Sequence, residues 1–323
     1  MVEAIRIHEN GGPEVLKLED IELPPPGPGE IRVKNEAIGI NYIDIYYRTG
    51  LYSVPKPFTP GNEGAGTVLA IGEGVKGFKK GERVAYVSTL GSYAGERNVP
   101  ASAVVPLPKR VSFDKAAALM LKGLTCEYLL HRSYPVKKGS VILVHAAAGG
   151  VGQILTQWAR SLGCTVIGTV GSADKAKLAK KNGCHHVILY RDENFVERVK
   201  EITKGKKCDV VYDGVGKDTF PASLDCLKPH GTFVSFGNAS GAVEAFSLGL
   251  LQQKGSLHAT RPTLFTFIGD RKIYEKMAKR MFEAVEKGKF KIPLSQKWSL
   301  ADAAKAQESL AGRATTGSMI LKP

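Results

Sequence analysis

The sequence predicts an α/β protein of two domains, with a doubly wound parallel sheet in the middle of the chain and a β-rich unit made from its two ends. At 323 residues, the chain exceeds the length at which a single hydrophobic core usually keeps growing. The first 100 residues read mostly as short strands and turns. From residue 141 onwards, apolar strands alternate with helical segments, which is typical of a parallel sheet covered on both faces.

The N-terminal part is divided by turns into sheet-like segments. The breaker PPPGPGE follows the first of them, and the predicted strands are AIRIHE (4–9), IRVKNEAIGI (31–40), TVLAIG (67–72) and ERVAYV (82–87). Ser112 is a suitable N-cap, and the segment that it opens, SFDKAAALMLKGLTCEYLLHR, is predicted to form a helix.

Strands and helices then follow in strict alternation. The predicted strands are VILVHA (141–146), CTVIGTV (164–170), HHVILY (185–190), the start of CDVVYDGVG (208–216) and GTFVSFG (231–237), with helices at 152–163, 174–183, 194–203 and near 219–227. A helix of about four turns is predicted from Asp270, with a core stripe of Ile273, Met277, Met281 and Val285, before a last helix and a closing strand. We expect the α/β domain at 118–261 and the β-rich domain at 1–117 and 262–323.

Composition narrows the class of protein. No apolar run approaches the roughly 20 residues needed to cross a bilayer, and the N-terminus lacks a signal peptide's apolar block, so a cytoplasmic protein is expected. The formal charge of +14 suits a polyanion or a phosphorylated cofactor, but the lysines are dispersed among acidic residues, and nucleic-acid binding is possible but unsupported. The five scattered cysteines argue against a disulfide framework and a cysteine-rich zinc lobe.

The segment VILVHAAAGGVGQILTQWARSLG carries the strongest local signal. A glycine-rich turn directly between an apolar strand and a helix directs backbone N–H groups and the positive end of the helix dipole at one point, which is how a pyrophosphate is held. Laid on G-x-G-x-x-G, the three positions are Ala147, Gly149 and Gly152. We expect Gly149, Gly150 and Val151 to bind a dinucleotide.

The end of the next strand indicates which dinucleotide. An NAD site would place Asp or Glu there, and this chain has Gly171 instead. The missing carboxylate leaves room for a 2′-phosphate, whose oxygens are expected to bind Ser172, Lys175, Tyr190 and Arg191. NADPH is therefore predicted, with Asp174 as the counter-candidate that would favour NADH if it bound the ribose.

Two more strand ends carry glycines, DGVG (213–216) and SFGNASG (235–241). Ligands of an open parallel sheet lie across the carboxyl ends of its strands. Cofactor contacts are therefore expected in these loops, at Gly214, Phe236, Gly237 and Asn238.

A series of motifs from near residue 4 to the end resembles one family: NYIDIYYRTGLY, PGNEGAGTV, KGERVAY, LKGLT, HAAAGGVG, VYDGVG, VSFGNASG, KGSLHATRP and GRATTGSMIL. It is similar to the zinc-independent quinone oxidoreductases of the medium-chain dehydrogenase/reductase superfamily. The resemblance implies a GroES-like catalytic domain from both termini, a Rossmann nucleotide-binding domain between them, and an active site in the cleft. It also implies a homodimer joined through the edge strand around LHATRP.

The same resemblance bears on metal. Zinc alcohol dehydrogenases of the superfamily hold catalytic zinc with a Cys and a His at positions that match Asn41 and Asn62. Neutral carboxamides are poor zinc ligands, and Glu63 alone cannot hold the ion, so no metal site is expected. Glu63 is expected to be a structural acceptor paired with a nearby arginine.

Without a Lewis acid, the enzyme needs a substrate that accepts hydride readily, such as a quinone. Asn41, Tyr46 and Tyr52 lie in the segment that stands in place of the zinc site of the related alcohol dehydrogenases. They are predicted to donate hydrogen bonds to the substrate oxygen that gains negative charge. The resemblance implies cofactor contacts at Asn41, Thr125, Arg261 and Arg313, whereas His145 is expected to be a core residue. The alternatives are an NADPH-dependent enone or 2-alkenal reductase, and an RNA-binding or structural protein that retains the cofactor site.

Overall fold

A computed structural model describes residues 1–312 and 315–323. The chain packs as two compact units, the first made of Met1–Lys122, Arg271–Ala278 and Ile292–Pro323, and the second of Gly123–Asp270 and Lys279–Lys291. These units are defined by the contacts between residues, which do not test where one domain ends along the chain. The domain boundaries after residues 117 and 261 therefore stay a prediction. Among the described residues, no helix has both the length and the apolar content of a membrane-spanning segment.

The strands and α-helices are numbered in chain order. The strands are β1 (Val2–Arg6), β2 (Lys17–Ile21), β3 (Glu30–Ile40), β4 (Glu63–Ile71), β5 (Arg83–Val87), β6 (Glu96–Pro100), β7 (Val104–Pro106), β8 (Val141–Val144), β9 (Thr165–Val170), β10 (His186–Leu189), β11 (Cys208–Asp213), β12 (Leu227–Ser235), β13 (His258–Thr260), β14 (Leu294–Ser299) and β15 (Ser318–Lys322). The α-helices are α1 (Tyr42–Arg48), α2 (Phe113–Ala117), α3 (Met120–Tyr128), α4 (Gly150–Ser161), α5 (Ala173–Lys181), α6 (Phe195–Ile202), α7 (Ala222–Asp225), α8 (Gly249–Gln253), α9 (Leu264–Ile268), α10 (Arg271–Glu286) and α11 (Ala303–Ala311).

The first unit is built on β3, the longest strand of its main sheet. Ile31, Val33 and Asn35 alternate with exposed or half-buried neighbours, as expected of a strand with one covered face. The sheet runs β14-β15-β3-β4-β5-β7, with β6 also paired to β3, and β1 pairs with β2 separately. The carboxyl end of β3 and the start of β4 are adjacent in this sheet, because Ile38 pairs with Gly64.

The helix predicted from Ser112 is broken. Ser112 does cap α2, since its side chain accepts from Lys115 N, but the chain leaves the helix after Ala117 and starts again as α3 at Met120. The break has a tertiary cause: the Leu121 N–H, in the first turn of α3, donates to Glu63 Oε2 at 2.6 Å. A carboxylate from β4 thus replaces the missing intrahelical partner at this N-terminus.

The second unit contains the predicted parallel sheet, which is confirmed. Its strand order is β10-β9-β8-β11-β12-β13, and every pair in it is parallel. This is the 3-2-1-4-5-6 order of a doubly wound nucleotide-binding sheet, whose order reverses between β8 and β11. The five cysteines are all buried free thiols.

Candidate active site

In the first unit, the segment after β3 places a carboxamide in a closed corner. Asn41 is the N-cap of α1 and is only 4% exposed. Its backbone N–H donates to Asp44 Oδ2 at 2.8 Å, a bond that fixes the first turn of α1. Its side chain is turned to two ionisable residues, Glu63 at the start of β4 and Lys122 on α3.

We call Asn41, Glu63 and Lys122 the carboxamide corner. Asn41 Nδ2 donates to Glu63 Oε1 at 2.7 Å, and Lys122 Nζ donates to Asn41 Oδ1 at 2.7 Å. The ammonium also donates to the Ile40 carbonyl at 3.0 Å and lies 3.5 Å from Glu63 Oε1. The expected pairing of Glu63 with an arginine is therefore wrong, because its cationic partner is Lys122.

Glu63 is fully buried, and its burial raises the pKa of the carboxyl group above its ordinary value. The nearby Lys122 ammonium and the N–H groups of Leu121 and Asn41 act against that shift by stabilising the ionised form. Space for the carboxylate comes from Gly39 on β3, where a Cβ atom would lie 2.2 Å from Glu63 Oε1. The sequence PGNEGAG thus encodes a buried acceptor in close-packed surroundings.

The donor set of this corner does not fit a catalytic zinc ion. Asn62 is fully buried and donates from Nδ2 to the Ser88 carbonyl at 3.1 Å, and its Oδ1 has no partner among the described residues. Asn41 Oδ1 is already bonded to an ammonium, which would repel a metal cation. Within residues 1–312 and 315–323, no three His, Cys, Asp or Glu side chains are grouped as a metal site.

Tyr46 and Tyr52 lie together, as an edge-to-face pair with ring centroids 5.4 Å apart. Tyr46 is on α1, and its carbonyl accepts from the Tyr52 N–H at 3.1 Å. Both side chains are half-buried, so each hydroxyl is carried by a ring held in place by its neighbours. The structure therefore places the rings of two predicted donors in contact, and their catalytic role stays a prediction.

Asp44 adds a second buried carboxyl group to this region. Its Oδ2 accepts from Asn41 N and, at 2.9 Å, from the Tyr93 hydroxyl, while Oδ1 has no partner among the described residues. Burial raises the pKa of Asp44 from 3.8 to about 7, although those two hydrogen bonds act in the opposite direction. Nothing in the sequence distinguishes this residue from an ordinary capping aspartate.

In the second unit, the glycine turn after β8 has the geometry of an anion site. Gly149 is the N-cap of α4, and no side chain caps the helix there. The first N–H groups of a helix, here those of Gly150 and Val151, have no intrahelical partner. At Gly152 a Cβ atom would lie 2.3 Å from the Ala146 carbonyl, so only glycine permits this close turn.

The carboxyl end of β9 brings together the residues predicted to bind a 2′-phosphate. A Cβ atom on Gly171 would lie 2.7 Å from the Tyr190 hydroxyl and 3.4 Å from Arg191 Nε. Burial and the nearby Arg191 guanidinium lower the pKa of Lys175. Two neighbouring cations disfavour each other's charged form, so an anion between them would be stabilised, and their binding of a 2′-phosphate stays a prediction.

Two neighbours of that site have distinct roles. Ser172 caps α5 through the Lys175 N–H. The counter-candidate Asp174 points outwards, with its side chain 92% exposed and paired with Lys177 Nζ at 3.3 Å. This geometry favours NADPH over NADH, because the carboxylate is not turned back towards the strand end.

The loops after β11 and β12 also meet. A Cβ atom on Gly237 would lie 2.5 Å from the Gly214 carbonyl, and the Phe236 N–H donates to the Asp213 carbonyl at 2.8 Å. Arg261 Nη1 donates to the Ser235 carbonyl at 2.9 Å, and the Asn238 amide oxygen, turned towards the guanidinium, accepts from Arg261 Nη2 at 3.1 Å. Arg261 thus fixes the loop predicted to bind cofactor.

His145 belongs to a closed buried network, which we call the His145 network. Nδ1 lies 2.9 Å from Thr169 Oγ1 and Nε2 lies 3.0 Å from Ser223 Oγ, and Ser223 Oγ donates to Asp213 Oδ2 at 3.1 Å. The aspartate therefore bonds the serine and not the histidine, so this is not the relay of a hydrolase. Burial lowers the pKa of His145, in agreement with its predicted core role.

Thr125 and Arg313 are the remaining predicted site residues, and Lys122 is a site residue that the sequence did not predict. Thr125 is buried on α3, and Arg313 lies outside the described residues. Sequence reasoning missed Lys122, although a single lysine in the otherwise apolar run ALMLKGLTC was a usable signal, since lysine is almost never buried without a partner.

Comparison with known proteins agrees with this geometry. The profile of the alcohol dehydrogenase GroES-like domain matches residues 27–109, and that of the zinc-binding dehydrogenases matches residues 150–283. The quinone oxidoreductase of Pseudomonas aeruginosa is 50% identical over 325 residues, covering 100% of both chains. A 2-haloacrylate reductase of a Burkholderia species is 43% identical over 334 residues, covering 100% of this chain and 99% of that one.

A solved structure gives the same result. The quinone oxidoreductase of Escherichia coli complexed with NADPH is 49% identical and superimposes with a TM-score of 0.98, covering 99% of this chain and 100% of that one. The predicted resemblance and fold class are confirmed, and the chain belongs to the zeta-crystallin-like quinone oxidoreductase family of the medium-chain dehydrogenase/reductase superfamily, with its GroES-like and Rossmann domains.

Proposed function

We propose that this protein is an NADPH-dependent, zinc-independent quinone reductase. The observation that carries the proposal is the carboxamide corner, where a neutral hydrogen-bond donor fixed by a buried ion pair stands at the position of a metal ligand. A donor of this kind suits a substrate that accepts hydride without a Lewis acid. The similarity to quinone oxidoreductases, one of them solved with NADPH, supports the same reaction.

The chain's own groups orient the reactants and stabilise charge. Backbone N–H groups of Gly150 and Val151 would hold the pyrophosphate, and Lys175, Tyr190 and Arg191 would hold the 2′-phosphate. Bound NADPH supplies a hydride from C4 of its nicotinamide ring. Asn41, Tyr46 and Tyr52 donate hydrogen bonds to the quinone oxygen as it gains negative charge, and a proton from solvent completes the hydroquinone.

The test compares two quinone substrates and two coenzymes in the same assay. NADPH oxidation is followed with 1,4-benzoquinone and 9,10-phenanthrenequinone, and the same rates are measured with NADH. We expect turnover of both quinones and a preference for NADPH of about 10-fold or more, because the anion site at β9 has nothing to bind in NADH. Equal rates with NADH, or no turnover of quinones, would contradict the proposal.

A second candidate is the reduction of an activated alkene. The 43% identity to a 2-haloacrylate reductase favours it, and the same donors would stabilise the enolate oxygen that forms when hydride adds to an enone. A small 2-alkenal assayed beside the two quinones discriminates the candidates. A kcat/KM for the alkenal above that for both quinones would reverse our assignment.

We further propose a cytoplasmic homodimer. In the part of the chain that the structure describes, strand β13 is the outer strand of the parallel sheet and has an edge without a partner strand, which a second copy could pair with. Five free thiols suit a reducing compartment. Light scattering on the purified protein should give twice the chain mass, and fractionation of cells should recover the protein with cytoplasmic markers. A monomer, or recovery with exported proteins, would contradict these points.

A further inference from the structure

The burial of Lys122 needs a physical explanation. Lys122 is only 7% exposed, and burying an ammonium is unfavourable unless acceptors surround it. An ammonium has three donors, and Lys122 directs them at the Ile40 carbonyl, Asn41 Oδ1 and Glu63 Oε1. The three acceptors thus lie at the end of β3, in the Asn41 carboxamide and in the Glu63 carboxylate.

That arrangement gives the Asn41 carboxamide only one orientation. If the amide were turned over, its oxygen would face the Glu63 carboxylate and its NH₂ group would face the Lys122 ammonium, and both contacts would be repulsive. A carboxamide has two N–H donors and an oxygen with two acceptor positions. One of the two N–H donors is used here, so a single N–H donor remains for a ligand.

The bond from Lys122 also polarises the amide. A bond from an ammonium to the carbonyl oxygen draws electron density away from the nitrogen, so the remaining N–H becomes a stronger donor. We infer that Lys122 is a positioning residue for the reaction: it orients Asn41 together with Glu63 and polarises the amide itself, so that the remaining N–H of Asn41 bonds the substrate oxygen that gains charge. The inference rests on the proposed function.

The test removes the ion pair without leaving a buried charge. Lys122→Met alone would leave Glu63 unpaired, so the variant is Lys122→Met with Glu63→Gln. We expect kcat for quinone reduction to fall about 10- to 100-fold, while the Kd for NADPH changes by less than about twofold. The matched control, Lys228→Met with Asp209→Asn, removes an ion pair at the amino ends of β11 and β12 and should keep the wild-type kcat.

A thermodynamic cycle separates positioning from mere structural support. In an Asn41→Ala background there is no carboxamide to orient, so the same double change should cost less than about twofold in kcat. If it costs as much there as in the wild-type background, Lys122 does not act through Asn41 and the inference is overturned.

A measurement without coenzyme or substrate completes the test. In protein labelled with ¹⁵N-asparagine, the Nδ2 protons of Asn41 should exchange slowly, and in the Lys122→Met/Glu63→Gln variant they should shift and exchange at least about 10-fold faster. Unchanged Asn41 signals overturn the role of Lys122 even if the wild type reduces quinones. A wild type that does not oxidise NADPH with quinones overturns the proposed function instead.

Discussion

The carboxamide corner and the His145 network are both buried, both polar and both placed at strand ends, yet only one retains unused hydrogen-bonding capacity. In the His145 network each ring nitrogen has a partner, and the Asp213 carboxylate accepts from Val215 N, Gly216 N, Thr219 Oγ1 and Ser223 Oγ. Near the carboxamide corner, Asn62 Oδ1 and Asp44 Oδ1 have no partner among the described residues. Buried polarity alone therefore does not mark a reactive site.

The largest expected effect separates the two networks by function. Asn41→Ala should lower kcat/KM for quinones by about 100-fold or more, because it removes a donor to the oxygen that gains charge. Ser223→Ala should instead lower the free energy of unfolding by about 1–3 kcal/mol and leave kcat within about twofold, because it breaks only internal hydrogen bonds. Steady-state kinetics and urea unfolding of both variants check this pair. A stable but inactive Ser223→Ala protein would remove the distinction.

Asp44, which lies beside the carboxamide corner, and His145 should make contributions to stability that depend on pH in opposite directions. The pKa of Asp44 is raised to about 7, so its protonated form is favoured in the folded state, and its contribution to stability is lost as the pH rises from about 4 to about 7. The pKa of His145 is lowered, so its contribution rises with pH up to its unfolded value of about 6.5.

Asp44→Asn should therefore remove a falling component of about 2–4 kcal/mol from the pH profile of unfolding, and His145→Gln should remove a rising one. Urea unfolding at about pH 5 and about pH 8 measures both, with each variant compared to the wild type so that other titrating groups cancel. Glu63, Lys122 and Tyr93 are close to Asp44 and are present in both proteins. Profiles of the two variants that change in the same direction would contradict the comparison.

The smallest expected effect concerns the anion site of the second unit. Lys175→Ala should weaken NADPH binding by about 10-fold and leave NADH binding unchanged, because only NADPH carries the 2′-phosphate. Lys177→Ala is the matched control on the same helix, since Lys177 is 81% exposed and pairs with Asp174. Calorimetric titration with both coenzymes measures the four affinities. An equal loss in both lysine variants would indicate general charge and not a defined site.

The sequence was sufficient for the parts of the molecule that depend on local patterns. The alternation of apolar strands and helices predicted the parallel sheet, and the glycine turn before α4 indicated a dinucleotide site, because both signals lie within short stretches of chain. The break between α2 and α3 was missed, since neither glycine nor proline marks it and its cause, Glu63, lies 58 positions away.

The ionic partner of Glu63 was predicted incorrectly for the same reason. Lys122 is separated along the sequence by 81 positions from Asn41 and by 59 positions from Glu63. Their contact arises from tertiary packing, which the local hydrophobic periodicity of the sequence does not indicate. The family resemblance indicated which residues stand where related enzymes bind zinc. It did not indicate what fixes the orientation of their side chains. This orientation depends on how three elements, β3, β4 and α3, pack against each other.

The central claim is that an oriented carboxamide, and not a metal ion, stabilises the oxygen that gains charge. The most direct measurement is the rate of NADPH oxidation by 1,4-benzoquinone after exhaustive chelation, with the metal content of the same sample determined by elemental analysis, for the wild type and Asn41→Ala. We predict full activity of a wild type that contains less than about 0.1 metal ion per chain, and loss of about 100-fold in the variant. Activity that falls with metal content, or that survives Asn41→Ala, would contradict the account.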